Sequence, residues 1–334
     1  MKIIVDSLGG DNAPSEILLG CADALKANPS LELVIVGDNA ITEETLKKEG
    51  IDLKRVEMVT ANGAVLNTDH PANFLREKPD CSLAVCYREA KKREDIDAII
   101  TAGPTGAVLA GGIFGLGRLP GVKRPALMST FPNENGGVIR LLDAGANMDC
   151  TSEYLLQFAL MASNYLTAIG IENPRVGLLN VGSEEGKGNA LAKETYALLK
   201  DSGLNFVGNI EADHVTRGEA DVVVCDGFWG NIYVKAIEET ALWISGMFKK
   251  VFYKNLFTKL GALPMKKHLQ EIKDVIGNAH KASAPLLGVN KIVLKCHGRA
   301  KRDSISLSIK EAMNLVEKDM QGKIAEALKN ASKE

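Results

Sequence analysis

Five short apolar runs in this chain pass straight into glycine-rich polar loops that open a helix, and few folds accept that pattern. They are IIVDSLGGDNAP (Ile3 to Pro14), AIITAGPTGA (Ala98 to Ala107), LLDAGAN (Leu141 to Asn147), VGLLNVGSEEGKGN (Val176 to Asn189) and DVVVCDGFWGN (Asp221 to Asn231). Strands covered on both faces read as unbroken apolar runs, and parallel strands need helical crossovers. The expected architecture is a doubly wound α/β sheet whose strand ends all point one way. The five loops then gather along one edge, where ligands of such sheets bind. Glycines at a helix N-terminus let backbone N–H groups approach an anion that the helix dipole also favours, so the expected ligand is phosphate-like.

From Met1 to about Ala236 strands and helices alternate, with further strands at ELVIVGD and VEMVTAN and helices over Glu43 to Glu49 and Val85 to Arg93. No fixed-period repeat or Pro-, Gly- and Ser-rich linker divides the 334 residues. Forty Lys and Arg against 42 Asp and Glu leave a formal charge of -2, which gives no global electrostatic ground for a nucleic acid partner. The six cysteines (Cys21, Cys81, Cys86, Cys150, Cys225, Cys296) lack CxxC pairs or a zinc-like His/Cys spacing and read as reduced, largely buried thiols. No His, Asp and Glu set has metal-ligand spacing, so no metal is expected. Asp6 comes too early for the apolar stretch of a signal peptide, and the expected location is cytoplasmic. Ala98 to Gly117 runs about 20 residues without charge, the length of a membrane span. Pro104 and the glycines Gly103, Gly106, Gly111 and Gly112 suit a central strand, a loop and a buried helix better.

The one marked shift in composition falls at Ile237 to Ile276, which is aromatic and rich in lysine. Ile244, Phe248, Phe252, Leu256 and Leu260 form an i, i+4 apolar row. That pattern is shared by helices lying in a membrane interface and by helices packed on their own domain or on a second copy, and periodicity alone does not choose. Trp243, Tyr253 and Phe257 project elsewhere and Lys259 falls inside the stripe, which points to a helical hairpin bent near Gly261 and Pro264.

Among the loops, Gly182 to Asn189 carries the strongest chemical signal. It joins a strand to a helix with Lys187 set among glycines, where an ammonium could serve a phosphate or a developing oxyanion. Gly188 stands where a nucleotide-binding P-loop requires Ser or Thr, so magnesium-nucleotide chemistry is unsupported. Asp226 and Asn231 flank the turn after ADVVVC, and Asn231 stands where it can cap the next helix. Asn147 and Asp11 share that ambiguity, since such residues accept turn conformations and cap helices without chemical duty. His297, in KIVLKCHGRA, could reach the same sheet edge as a donor. There is no GxSxG elbow, and no GxGxxG fingerprint in the first strand-to-helix turn.

Taken in order, VDSLGGDNAP, TAGPTGA, RPAL, LLDAGAN, PRVGLLNVGSEEGKGN, FVGNIEA, ADVVVCDGFWGN and PLLGV with HGRA resemble the motifs of the bacterial phosphate acyltransferase family called PlsX, over nearly the whole chain. The resemblance implies transfer of a long-chain acyl group from acyl carrier protein to inorganic phosphate. The acyl phosphate then feeds a membrane glycerol-3-phosphate acyltransferase in phospholipid synthesis. It implies a single three-layer α/β/α domain over residues 1–334 with a mainly parallel sheet, similar to isopropylmalate dehydrogenases and phosphotransacetylases, a homodimer, and no cofactor. It further implies a protruding helical tip at 237–276, whose Trp243, Phe248, Phe252 and Phe257 meet the cytoplasmic membrane peripherally. The family's motif lysine and asparagine fall on Lys187 and Asn231, for charge stabilisation and for positioning the carbonyl or phosphate. Asp6, Gly9, Gly10, Asp11, Gly103, Thr105, Gly106, Asn147, Asn180, Gly182, Asn189, Asp226 and His297 fall on substrate-binding motifs.

The family usually reads DAMGGD, SAGNTGA and HGSS where this chain has DSLGGD, TAGPTGA and HGRA. Pro104 thus removes an amide and a backbone donor, and Arg299 and Ala300 replace two hydroxyl residues. Three other functions compete. One is a phosphotransacetylase acting on short acyl-CoA; another is a decarboxylating dehydrogenase of the same fold, whose acidic metal ligands are not found. The third is a catalytically weakened membrane scaffold for lipid synthesis.

Overall fold

The structure, a computed structural model, describes residues 1–255, 257, 258, 261 and 283–331. The chain runs β1 (Lys2–Asp6), α1 (Ser15–Ala27), β2 (Glu32–Gly37), α2 (Asn39–Lys48), β3 (Val56–Thr60), α3 (Phe74–Glu77), α4 (Ser82–Lys92), β4 (Ala98–Thr101) and α5 (Thr105–Ala110). It continues through β5 (Ala126–Pro132), β6 (Val138–Leu142), α6 (Ser152–Ala168), β7 (Val176–Asn180), α7 (Ala190–Lys200), β8 (Phe206–Glu211), β9 (Val222–Val224) and α8 (Gly227–Phe252). After the tip come β10 (Ala284–Leu287), β11 (Ile292–Lys295), α9 (Arg302–Glu317) and α10 (Met320–Ala331). Two helices start earlier than periodicity suggests, α2 behind its cap Asp38 and α4 at Ser82.

Among the described residues the strands form one sheet in the order β3-β2-β1-β4-β11-β10-β5-β6-β9-β7-β8. Ile3, Ile4 and Val5 of β1, the residues of β4 and those of β9 are buried on both faces, as their unbroken apolar runs require. The first five strands in that order are mutually parallel, and so are the last four. Between them β10 is antiparallel to both β11 and β5, and β5 is antiparallel to β6. These reversals leave the two parallel halves pointing in opposite directions. The sheet is mainly parallel as expected, but the single edge is not found. Loops after β1, β4 and β11 leave at one end and loops after β6, β7 and β9 at the other. An apolar run reports burial and not direction, and the reversing strands β5 and β10 belong to none of the glycine-loop motifs.

One apolar core runs along a whole face of the sheet, where α1, α6, α9 and α10 pack through Leu18, Phe158, Met161, Ile305 and Leu328. The opposite face carries two smaller cores. Phe74, Tyr87 and Val108 cover the first half, while α8 docks Tyr233, Val234 and Ile237 against Phe131 and Val223 on the second. Between these two, over β5 and β10, lies a cleft.

Ala98 to Gly117 folds as expected into a central strand, a loop and buried helical turns, and among the described residues no helix is long and apolar enough to cross a membrane. All six cysteines are free thiols and five are buried. Helix α8 runs unbroken to Phe252 and the chain turns at 253–255, while the bend expected near Gly261 and Pro264 falls, but for Gly261, outside the described residues. Leu256, Lys259, Leu260, Pro264 and the rest of the tip to Ile276 lie outside the described residues, Phe257, Thr258 and Gly261 excepted.

Helical turns after α5 lie directly on the buried Tyr87 ring, whose hydroxyl donates to the Val108 carbonyl at 2.8 Å. A Cβ on Gly111 would sit 1.9 Å from Tyr87 Cε2. Gly111→Ala is therefore expected to destabilise the protein by about 1–3 kcal/mol, the usual effect of overpacking. Thermal unfolding reads this as a lower midpoint; an unchanged midpoint would mean that the ring yields.

Candidate active site

The cleft has a volume of about 220 Å³. Its floor is the reversed centre of the sheet, with Leu127, Ser129 and Phe131 of β5, Ala284 of β10 and Lys295 of β11. Thr105, the first residue of α5, and His297, after β11, come from the carboxyl ends of the first half. Ala144, after β6, and Asn231, Lys235 and Glu238 of α8 come from the second half. The two sets of loops, which leave the sheet at opposite ends, thus both contribute to one cleft.

Behind the first wall the sequence-predicted residues form a braced framework. Asp6 is buried and accepts from Thr101 Oγ1 at 2.7 Å and from the Leu8 N–H at 3.3 Å, while Gly103 donates to the same Thr101 oxygen at 2.9 Å. Burial pushes the Asp6 carboxyl above its usual range, opposed by the hydrogen bonds from Thr101 and Leu8. Asp11 donates its N–H to the Gly298 carbonyl at 2.7 Å, and Asn12 donates to the Arg299 carbonyl at 3.1 Å. The loop holding Gly9 and Gly10 is so laced to the one holding His297, with Gly103 and Gly106 on either side of Thr105's own turn. Pro104 directly precedes α5, Arg299 is exposed, and Ala300 is buried in the large core, away from the cleft.

The second wall depends on how α8 is seated. Asp226, not Asn231, caps it, accepting the Trp229 N–H at 2.9 Å; the capping role expected for Asn231 is not found, because the helix begins a turn earlier. Asn147 is buried and bonded to Asp143 and to the Pro125 carbonyl, and its own carbonyl accepts the Gly227 N–H at 2.7 Å. It bolts α8 to the β6 loop instead of lining the cleft. Gly230 lies against that loop so closely that a Cβ would be 1.9 Å from the Asp143 carbonyl oxygen. One residue on, Asn231 faces the cleft.

Lys187 does not reach the cleft. It is exposed, with Nζ 3.9 Å from Glu184, on a loop held by Asn180, whose amide donates to the Lys187 carbonyl at 3.2 Å. Asn189 caps α7, accepting the Ala192 N–H at 2.9 Å, and Gly182 lies buried in the same loop. Asn180, Asn189 and Asp226 border a second, apolar hollow of about 580 Å³. Helix α8 divides the two spaces, turning Trp229, Ile232 and Tyr233 to the hollow and Asn231, Lys235 and Glu238 to the cleft. Of the predicted residues, the structure brings Thr105, Asn231 and His297 together. Sequence reasoning missed Lys295, Ser129, Lys235 and Ser283; the available signal was a lysine closing the apolar strand IVLK.

This fold is that of a class of α/β proteins. It is similar to a phosphotransacetylase from Streptococcus pyogenes (TM-score 0.60, 18% identity, covering 95% of this chain and 94% of that one). It is likewise similar to a branched-chain phosphotransacylase from Enterococcus faecalis (TM-score 0.58, 15% identity, covering 94% and 99%). Sequence narrows the class, since residues 1–323 match the fatty acid synthesis protein family, to which the chain belongs. It is 41% identical over 335 residues to a phosphate acyltransferase of Thermoanaerobacter pseudethanolicus, covering 100% of this chain and 99% of that protein. A phosphate acyltransferase of Brevibacillus brevis is 41% identical over 329 residues, covering 98% and 97%. The protein is an enzyme, an acyltransferase.

Gly230→Ala should push α8 off the Asp143 carbonyl and displace Asn231. The expected result is a lower thermal midpoint together with a fall in acyltransferase kcat/KM of up to roughly 10²-fold, the scale for a group misplaced by about 1 Å. Unchanged kcat/KM in a destabilised variant would separate Asn231 from that contact.

Proposed function

We propose that the protein transfers a long-chain fatty acyl group from acyl carrier protein to inorganic phosphate, releasing acyl phosphate for phospholipid synthesis. The observation that carries the reading is the convergence of Thr105, Asn231 and His297 from both halves of the sheet over a floor that holds Ser129 and Lys295. The name shared by the relatives at 41% identity, phosphate acyltransferase, supports the same chemistry.

Phosphate is already a nucleophile, so the protein has mainly to hold it against the thioester and stabilise the tetrahedral oxyanion. A phosphate oxygen bonds to the carbonyl carbon and the carbon–sulfur bond breaks. The sulfur leaves with the electron pair and takes the proton that hydrogen phosphate gives up. The Asn231 amide serves the carbonyl oxygen and the Thr105 hydroxyl the phosphate. Lys187 stands outside the cleft in this chain, so its part in charge stabilisation requires movement of its loop or presentation by a second copy.

A homodimer and a peripheral membrane contact complete the reading. Phe228, Trp229 and Ile232 are exposed on α8, the last two beside the apolar hollow, a surface suited to a second copy. Farther along, Trp243 and Phe248 are 66% and 55% exposed, Phe257 is 85% exposed, and Lys249, Lys250 and Lys254 accompany them. Such a mixture suits an anionic membrane surface, and from there acyl phosphate can pass to a membrane glycerol-3-phosphate acyltransferase. Phe252 is half-buried and stacked on Phe248, with ring centroids 6.1 Å apart.

Phosphate-dependent release of free carrier protein from palmitoyl carrier protein tests the reaction. Asn231→Ala is expected to lower kcat/KM by about 10²–10³-fold, the effect of losing one oxyanion donor, and Lys187→Ala to lower it as well. Faster release from acetyl-CoA would favour the short-chain reading, and a folded protein that releases nothing would leave the scaffold. For the membrane contact, wild type should sediment with phosphatidylglycerol vesicles, and a Trp243→Glu, Phe248→Glu variant should stay in solution with its soluble activity intact. Undiminished sedimentation of that variant would place the contact elsewhere.

A further inference from the structure

Lys295 closes β11, whose other residues, Ile292, Val293 and Leu294, are buried in the middle of the sheet. Its cross-strand neighbours are both small, Ala284 on β10 and Thr101 on β4. The next residue, Cys296, faces the other way and meets the Ser308 hydroxyl of α9 at 3.2 Å. Strand alternation therefore sends the Lys295 side chain up from the floor of the cleft, which it lines.

An ammonium carries three N–H donors. Among the described residues, Lys295 Nζ has one acceptor, the Cys296 carbonyl at 3.2 Å, and no carboxylate within ion-pair distance. Glu238 of α8 is the one carboxylate lining the cleft among the described residues, and its pull on Lys295 is weaker than the desolvation that holds this ammonium below its ordinary 10.5. A cation partly shielded from water, with only a carboxylate beyond ion-pair distance to offset it among the described residues, is costly, and an arriving anion removes the cost. Thr105, Ser129 and Thr130 add hydroxyls around the same space, and Lys235 adds a second ammonium at its rim.

We infer that Lys295 is the phosphate-binding cation of this cleft, its two remaining N–H donors holding the oxygens of a phosphate group over the sheet. The inference rests on the acyl-transfer reading for what the phosphate does next, though not for its binding. Two sources share this chemistry: inorganic phosphate, the nucleophile, and the phosphodiester that joins an acyl-bearing arm to its carrier. The geometry favours the first, since Lys295 lies at the floor of a cleft of only about 220 Å³.

The test uses the full chain with Lys295→Met and Lys295→Arg, and Lys295→Gln in place of methionine should that variant not fold. Inorganic phosphate should raise the thermal midpoint of wild type and of Lys295→Arg but not of Lys295→Met. In turnover, KM for phosphate should rise roughly 10- to 100-fold in Lys295→Met, the scale of a lost charged hydrogen bond. KM for palmitoyl carrier protein should hardly move, and Lys295→Arg should recover most of the phosphate affinity. The inference is overturned if phosphate stabilises the neutral variant as strongly as wild type. It is equally overturned if KM rises for the acyl carrier and not for phosphate, which would give the lysine to the donor's phosphodiester. Stabilisation by phosphate that needs Lys295, in a protein that releases no carrier protein, would retain the binding site and remove only the transfer reaction.

Discussion

The antiparallel pairing of β10 with β11 and β5 at the centre of the sheet decides where the rest of the structure lies. In a wholly parallel sheet every loop after a strand leaves at the same edge, and a site forms there. Here the halves are opposed, so the loops after β4 and β11 approach from one end and those after β6 and β9 from the other. One face still supports an unbroken core under α1, α6, α9 and α10. The other divides into two cores, and the undivided strands between them become the floor of the cleft.

Opposed halves need a tie, and α8 provides it. Its start is held by Asp226, by the Asn147 carbonyl and by the close approach of Gly230 to the β6 loop. The charged groups nearby divide by how fully they are satisfied. Asp143 accepts from the backbone of Leu127, Gly145, Ala146 and Asn147 and from the Asn147 amide, which leaves it no capacity for a ligand. Asp6 is similarly engaged with Thr101 and Leu8. Lys295 differs, with one weak acceptor for three donors among the described residues. Full satisfaction marks scaffolding and unspent donors mark a site, a distinction that burial alone does not make.

Much of this was legible in the residues. Unbroken runs such as IIV and VVV report two covered faces, so the α/β class follows from them, and the ordered motifs identify the family. Strand direction did not follow, because ALMSTFP and APLL resemble parallel core strands and only their pairing shows the reversal. The same limit explains the site. Loops after strands can be named from glycines and polar residues, but Lys187 and Asn231 stand on opposite sides of a helix whose first turn no periodicity locates. Asn147 and Asn231 look alike in sequence, as polar residues in glycine turns. Only hydrogen bonding separates the bolt from the residue facing the cleft.

Locating phosphate on the protein tests the central claim most directly, by crystallography of the full chain in the presence of inorganic phosphate. The expected result is an anion over β10 and β11 within hydrogen-bond distance of Lys295 Nζ and the Thr105 hydroxyl. Phosphate held instead by the 182–188 loop, across α8 from the cleft, would contradict it and return the chemistry to the glycine loop.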